Sequence, residues 1–146
     1  MPRRLPSSFS TPDDSPGWTL WIVANAWQRE LKRALAPLGL TPVQATILES
    51  VAWLSRDNDP ITQTRVARHA RTDVMMTSQV LRALEAKKLI RRVPHPTDER
   101  AKLLKSTARG RKLAREAAFA GERVDREFFE AVGDVERFRG MLSNLS

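Results

Sequence analysis

One stretch of this chain, from Pro60 to Thr107, constrains the fold more than any other. Four of its residues share one face of a helix at the spacing i, i+3, i+4 and i+7: Thr77, Val80, Leu81 and Leu84. Asp73 stands where an N-cap would accept a backbone hydrogen bond and begin that helix. The opposite face is small, flexible or polar: Met76, Ser78, Gln79 and Arg82. This helix is therefore predicted to bury one face and to leave the other able to approach a partner closely.

A shorter helix is predicted just before it, in residues 61–70. Thr62 is its expected N-cap, and Val66 and Ala67 turn inward. Two short helices joined by a tight turn, the second presenting a polar face, form a helix-turn-helix. Such a unit places its second helix in the major groove of DNA.

A β-hairpin is predicted immediately after the second helix. Residues 89–94 and 101–106 have a strand-like composition, and Pro94 and Asp98 favour a turn between them. Ile61 is expected to begin a further short strand that pairs with this hairpin. A basic hairpin beside a helix-turn-helix is typical of a wing, so the expected fold is mainly α with a small β-wing.

The positive charge of the chain is concentrated in the same region. Residues 61–115 hold fifteen Lys or Arg and four Asp or Glu, a local net charge of +11, whereas the whole chain carries +8. Contacts with DNA phosphates would place the charge there, but a need for solubility alone would not. The region is therefore predicted to bind double-stranded DNA; an ordinary solvated charged surface is the alternative.

The composition argues against several other classes of protein. The chain has 146 residues, about the length of one domain, and it lacks cysteine, which excludes disulfides and thiolate metal sites. The sequence contains no phosphate loop, nucleophile elbow or metal-ligand cluster that would indicate an enzyme. We therefore expect no cofactor and no metal. No long apolar run or signal peptide is apparent, so we expect a cytoplasmic, nucleoid-associated protein.

The N-terminal part is expected to contain a disordered arm and then a long helix. Residues 1–14 are polar and without periodicity, whereas Ser15 and Pro16 form a good helix start, with an end expected near Ala36. Five residues are expected to line its inner face: Leu20, Ala24, Trp27, Leu31 and Leu35. Further apolar residues lie off that face: Trp18, Trp21, Ile22 and Val23. Such a helix must be buried on more than one side.

Three further helices are predicted outside the central region. Thr41 and Pro42 begin one of them, and a long helix is expected to run from Thr107 to about Ala131. A last helix after Gly133 carries an apolar stripe: Phe138, Met141, Leu142 and Leu145. That stripe is too long to leave exposed to water, so another surface is expected to cover it.

Several of these segments resemble the MarR family of winged helix-turn-helix transcription regulators. The resemblance rests on MMTSQVLRALEAKKLI, on the Asp-x-Arg element that ends at Arg100, and on the helix start from Thr107 to Gly110. It extends upstream to LGLTPVQATILESVAWL and spans roughly residues 16–130.

The resemblance implies a homodimer that regulates transcription. Residues 15–146 would form one MarR-type domain, with residues 40–107 as its DNA-binding part and residues 15–36 and 108–146 as dimerisation helices. Two winged helices related by a twofold axis address half-sites about 34–36 Å apart on a pseudo-palindromic operator. The expected function is that of a sequence-specific repressor that responds to a small-molecule effector.

Candidate base contacts follow from the chemistry of the major groove. Gln79 can form two hydrogen bonds to adenine, Ser78 can donate or accept, and Arg82 can bond guanine or a phosphate. Met76, or its neighbour Met75, can pack against thymine methyls, although a methionine at a helix start more often belongs to the core.

Candidate backbone contacts lie on the shorter helix and on the wing. Thr62, Gln63 and Thr64 suit a phosphate through their hydroxyls and the free backbone N–H groups of a helix start. The resemblance implies that Arg100, at the hairpin tip, reaches the minor groove or its phosphates; a narrow A·T-rich minor groove concentrates negative potential, which suits an arginine. Lys102 is a candidate phosphate contact or, equally, an ordinary exposed lysine.

Two positions depart from the family pattern. Lys88 stands where the family usually has a glycine, at a position that often needs a left-handed backbone. Ser106 replaces the usual leucine before Thr107 and is expected to loosen the packing beneath the wing.

Three residues are candidates for an effector site. Trp21, Asn25 and His69 are the candidates for the lining of a ligand pocket. Core or interface packing would also explain the tryptophan, and a local hydrogen bond would also explain the histidine.

A nonspecific or architectural DNA-binding protein is the alternative function, because the same basic excess would bind any duplex. That alternative predicts little dependence of binding on Gln79 or Ser78.

Overall fold

The structure, a computed structural model, describes residues 8–57 and 59–145 of the chain. Within those ranges the elements follow in this order: α1 (Pro16–Leu35), α2 (Pro42–Leu54), α3 (Gln63–Ala70), α4 (Val74–Ala86), β1 (Ile90–Pro94), β2 (Lys102–Ser106), α5 (Ala108–Phe128) and α6 (Val135–Ser143). Strands β1 and β2 pair antiparallel, with Ile90 opposite Ser106 and Pro94 opposite Lys102. The predicted fold class, a mainly α winged helix-turn-helix with a small β-wing, is confirmed.

The predicted helix starts are present with their capping hydrogen bonds. In each case the side chain accepts a hydrogen bond from a backbone N–H in the first turn: Ser15, Thr41, Thr62, Asp73 and Thr107. Helix α1 ends at Leu35, and the following turn closes on Gly39, whose φ of 67° is left-handed. These local signals fix where the helices begin before any packing is considered.

The core is built around α2, the central helix. Its Ile47, Leu48 and Val51 are fully buried. They belong to one cluster with buried residues from the surrounding elements: Leu35, Val66, Leu81, Leu84, Leu104, Ala114 and Ala117. Helix α4 therefore packs through the inner face that its sequence predicts, and α5 also packs on α2.

The start of α5 is locked onto the turn that leads into the wing. Thr107 donates from its backbone N–H to the Leu89 carbonyl at 3.1 Å, and its hydroxyl lies 2.9 Å from the Lys88 carbonyl. Gly110 passes so close to this turn that a β-carbon would lie 1.9 Å from the Leu89 oxygen. This close approach joins the long C-terminal helix to the base of the wing.

The structure corrects two of the predicted elements. Ile61 begins no strand within the described residues; its carbonyl accepts a single hydrogen bond from Leu104 at 2.8 Å, because the chain turns into α3 directly afterwards. Helix α5 ends at Phe128 rather than near Ala131, because a short 3₁₀ turn follows it.

The N-terminal arm also differs from its prediction. Of residues 1–14, expected to be disordered, residues 1–7 lie outside the described part of the chain. Pro12–Asp14 form a 3₁₀ turn instead of an irregular arm. Asp13 accepts a hydrogen bond from the Trp18 indole at 3.2 Å, which ties this turn to α1.

Two apolar surfaces remain exposed, one on α1 and one on α6. Leu20 was expected on the inner face of α1, but it is 52% exposed because residues 16–23 extend beyond the helices on which α1 packs. Trp21 is 65% exposed on the same half of the helix. Met141 of α6 is exposed, and so is Leu145, which was expected on the same helix but lies beyond its end at Ser143. The rings of Phe138 and Phe129 pack with centroids 5.8 Å apart.

None of the helices in residues 8–57 and 59–145 combines the length and apolar character needed to cross a membrane.

The close approach at Gly110 yields a test of this packing. Gly110→Ala should lower the free energy of unfolding by about 2–3 kcal/mol, because the added methyl collides with backbone that cannot move freely. Gly121→Ala, on the same helix, is the matched control; its methyl would meet only the Leu31 side chain at 3.8 Å. That control should leave the protein unchanged or stabilise it by up to about 1 kcal/mol. Chemical denaturation at one protein concentration would measure both, and equal effects would contradict the described junction.

Candidate nucleic-acid interface and adjoining cavity

The two helices of the helix-turn-helix meet at a turn held by backbone geometry and hydroxyl groups. Arg71 ends α3 with a left-handed φ of 51°. The hydroxyl oxygens of Thr72 and Thr77 lie 2.7 Å apart, and the Thr77 hydroxyl also lies 2.7 Å from the Asp73 carbonyl. Thr77 is fully buried, so this polar link fixes the angle at which α4 leaves the turn.

The face of α4 turned away from the core carries the predicted base-contact residues. Gln79, Arg82 and Met76 are exposed, Met76 to 43%. Ser78 is half-buried, and its hydroxyl accepts a hydrogen bond from the Arg82 guanidinium at 3.3 Å. The structure therefore brings these four residues together on one helix, with Ser78 at the margin of the exposed face.

Met75 belongs to this face more directly than its neighbour Met76. It is 76% exposed, and it precedes Gln79 by four residues and Arg82 by seven. The spacing i, i+4 and i+7 makes these three residues one stripe opposite the buried face. We call Met75, Gln79 and Arg82 the outer stripe of α4. The sequence contained this signal, but the expectation favoured Met76.

The predicted phosphate contacts at the start of α3 have unequal freedom. Thr64 is exposed, whereas the Thr62 hydroxyl already accepts a hydrogen bond as the N-cap. Gln63 donates to the Val74 carbonyl at 3.4 Å, across the turn to α4. Arg65, another basic residue of this helix, forms an ion pair with Asp57 at 2.9 Å and is turned toward the loop after α2.

The wing presents Arg100 and Lys102 on exposed backbone. Asp98 accepts a hydrogen bond from the Arg100 N–H at 3.0 Å, so the carboxylate shapes the turn that carries the arginine. His95 accepts from the Asp98 N–H at 3.2 Å and holds the other side of the turn. Lys102 is the first residue of β2 and lies opposite Pro94.

Contacts at the base of the wing fix its position relative to α4. Arg92 of β1 forms an ion pair with Glu85 of α4 at 3.2 Å. Lys88 adopts the predicted left-handed conformation, with φ of 59°, between the helix and the strand. Ser106 is buried, and its hydroxyl has no hydrogen-bond partner among the described residues, an arrangement that leaves an uncompensated polar group beneath the wing.

A cavity of about 750 Å³ lies between α2, α3 and α5, behind the helix-turn-helix. Its described lining includes basic side chains: Arg56, Arg71, Arg111 and Arg115. Trp53 supplies an apolar wall, and the Arg56 guanidinium carbon lies 4.2 Å from its ring centroid. The cavity thus combines an aromatic surface with positive charge.

His69 lines this cavity, but the other two candidates for an effector pocket do not. The His69 ring nitrogen Nδ1 lies 3.0 Å from the Ser50 hydroxyl, which itself donates to the Thr46 carbonyl. Because the hydroxyl has one hydrogen, Nδ1 is the donor to Ser50. Asn25 donates to the Trp21 carbonyl within α1, and the Trp21 side chain is exposed. The structure therefore separates Trp21 and Asn25 from His69.

Glu49 lines this cavity and also a smaller, open one of about 330 Å³ between α1, α2 and α5. Partial burial, and then the negative charge of Glu122, raises the pKa of Glu49 to about 7. The smaller cavity is also lined by Trp27, whose indole donates to Asp125 at 2.7 Å. Glu49 had not been singled out from the sequence, where it is one glutamate on an otherwise apolar helix.

Among the described residues, no group of three or more His, Asp or Glu is arranged to hold a metal ion.

Residues 40–102 match the model of the MarR family. An HTH-type transcriptional regulator of Bacillus subtilis, YdcH, is 37% identical over 139 residues, which cover 95% of each chain. The HTH-type transcriptional repressor Rv2887 of Mycobacterium tuberculosis is 32% identical over 106 residues, covering 72% of this chain and 73% of the repressor.

Solved structures share the architecture. The repressor CouR of Rhodococcus jostii RHA1, bound to a 23-mer DNA duplex, superposes with a TM-score of 0.80. The match covers 97% of this chain and 99% of CouR, at 24% identity. At that identity the likeness bears on the fold, and it agrees with the winged helix-turn-helix described above.

The raised pKa of Glu49 predicts a pH dependence of stability. The folded protein holds this proton more tightly than the unfolded chain does, so the free energy of unfolding falls as the pH rises from 4.5 to about 7. Glu49→Gln should therefore raise the free energy of unfolding by about 1–2 kcal/mol near pH 8, a range that allows for screening by solvent in the cavity. Near pH 5 the gain should be smaller, because Glu49 is then mostly protonated and uncharged in the folded protein. Glu127→Gln, at an exposed site on α5, is the control. An unchanged pH dependence in Glu49→Gln would contradict this assignment.

Proposed function

The chain belongs to the MarR family of transcription regulators, and we propose that it acts as a homodimeric repressor that binds a pseudo-palindromic operator and responds to a small molecule. Family membership makes it a DNA-binding regulator rather than an enzyme. The observation that carries the proposal is the exposed outer stripe of α4. The opposite face of this helix is buried in the core, and the basic wing lies beside it. That arrangement lets one helix enter the major groove while the wing follows the backbone.

The exposed apolar surfaces of α1 and α6 support the homodimer. Trp21 and Leu20 of α1 are more than half exposed, as are Met141 of α6 and Leu145, which follows that helix. Contiguous apolar surface of this kind marks a protein contact rather than a surface that faces water. We infer that these helices pair with those of a second copy, which gives dimerisation segments at residues 15–36 and 108–146.

Within each subunit, residues 40–107 form the proposed DNA-binding part of a single domain. Gln79 and Arg82 face the bases, and Ser78 and Met76 flank them on either side. Thr64 meets a phosphate at the start of α3, where its neighbours Thr62 and Gln63 contribute backbone N–H groups. This assignment rests on exposure and on position along the helix.

Arg100 and Lys102 are the proposed contacts of the wing. Both are exposed, and the Asp98 hydrogen bond holds the tip in a defined turn, so the arginine can be directed at the minor groove without a large loss of chain entropy. The ion pair between Arg92 and Glu85 keeps the wing in register with α4.

The cavity behind the helix-turn-helix is the proposed effector site. Its arginines and Trp53 suit a ligand with an apolar or aromatic body and a negative charge. The related fold of CouR has been solved with p-coumaroyl-CoA bound. Because the cavity touches α3 and also α5, a ligand there can change the angle between the DNA-binding part and the dimer helices. His69 belongs to this site; Trp21 and Asn25 fit the dimer interface better.

The cytoplasm, in association with the nucleoid, is the proposed location, because the operator is there.

The experiment that tests this function compares an operator with a scrambled duplex of the same composition. Gln79→Ala should weaken operator binding roughly tenfold or more and leave binding to the scrambled duplex nearly unchanged, because base contacts carry the discrimination. Fluorescence anisotropy at one fixed salt concentration would measure both affinities. Equal loss on both duplexes would favour the architectural alternative.

Arg100→Ala is the companion variant in the same measurement. It should weaken binding to both duplexes and leave the dimer intact by light scattering, since Arg100 is exposed in the turn between β1 and β2 and lies outside the proposed dimerisation segments. Dissociation of the dimer, with unchanged affinity per dimer, would count against the role assigned to the wing.

A further inference from the structure

The first turn of α4 exposes apolar side chains where a DNA-binding helix would be expected to expose polar ones. Val74 is 52% exposed, Met75 76% and Met76 43%. Adjacent large apolar side chains that are exposed indicate a binding surface, because they do not contribute to the core. Their position is also informative, since the N-terminal residues of such a helix contact base edges.

Only one of these three side chains stands on the outer stripe. Helical spacing places Met75 in line with Gln79 and Arg82, directly opposite the buried Thr77 and Leu81. Val74 lies toward the turn, where its carbonyl accepts a hydrogen bond from Gln63. Met76 lies on the opposite flank. Met75 is therefore the side chain that would enter the groove most deeply in the first turn.

The major groove offers one apolar group to such a side chain, the 5-methyl group of a pyrimidine. A methionine is unbranched and adaptable, so it can cover a methyl without fixed hydrogen-bond geometry. We propose that Met75 is a specificity-determining residue that selects thymine through its 5-methyl group. This inference rests on the proposed insertion of α4 into the major groove.

The same stripe limits where the thymine lies. Four residues of helix rise by about 6 Å, and neighbouring base pairs are separated by about 3.4 Å. The selected thymine therefore lies within about two base pairs of the base that Gln79 contacts. The operator is expected to contain an A·T pair in that interval in each half-site.

Replacing thymine by uracil tests the proposal, because uracil lacks only the methyl group and keeps the hydrogen-bonding edge. Uracil would be placed at one thymine at a time, at equivalent positions of both half-sites, and the affinity of each duplex measured. One substitution within the stated interval should weaken binding by roughly fourfold per half-site, about fifteenfold in all, as expected for one methyl group removed from an apolar contact.

The protein variants identify the side chain responsible. Met75→Ala should bind the thymine and uracil duplexes equally well at that position, whereas Val74→Ala, the matched control on the same turn, should keep the preference for thymine. Both side chains are exposed, so neither change should disturb folding.

Three results would overturn the inference. No uracil substitution weakens the binding of the unsubstituted protein to the operator, or uracil still weakens the binding of Met75→Ala, or the operator has no thymine within the interval. In each case specific operator binding would survive, and the proposed function with it. Failure to bind any operator specifically would instead reject the proposed function, and this inference with it.

Discussion

The packing of α4 against α2 determines which side chains this protein can offer to DNA. Thr77, Leu81 and Leu84 are fully buried, and Val80 is nearly so. Once that face is in the core, helical geometry leaves the outer stripe exposed, since it lies on the opposite side. A charged residue in place of Leu81 or Leu84 would rotate or detach the helix, because the buried face offers it no partner, and the side chains presented to the groove would change with it.

The same central region is joined to both ends of the molecule. Gly110 and Thr107 fasten α5 to the turn before the wing, so the proposed dimer helix and the DNA-binding part share one rigid junction. Glu49 lines two cavities between the helices of the core. In the proposed dimer, a ligand bound in the larger cavity would contact α3 and α5, and it could thereby change the spacing of the two α4 helices.

Local features explain why so much of the fold could be predicted from the sequence. Some features act within one or two helical turns: N-cap side chains such as Thr41 and Asp73, and the apolar spacing of α4. Such features can be identified from the sequence without knowing how the helices pack. The expected strand at Ile61 failed because one hydrogen bond to Leu104 is all that the turn into α3 permits. The cavity could not be predicted, because Trp53, His69 and Arg115 meet only after three helices have packed. The exposure of Leu20 likewise depends on how far α1 extends beyond the helices it contacts.

The property that defines the proposed repressor is that it selects a DNA sequence and does not merely bind the phosphate charge. The most direct measurement incubates the purified protein with sheared genomic DNA of its own organism at one near-physiological salt concentration and sequences the retained fragments. If the chain selects a sequence, the retained DNA should consist of a few intergenic fragments that share an inverted repeat, with half-site centres about ten base pairs apart. Even retention across the genome, as binding to phosphates alone would give, would contradict it.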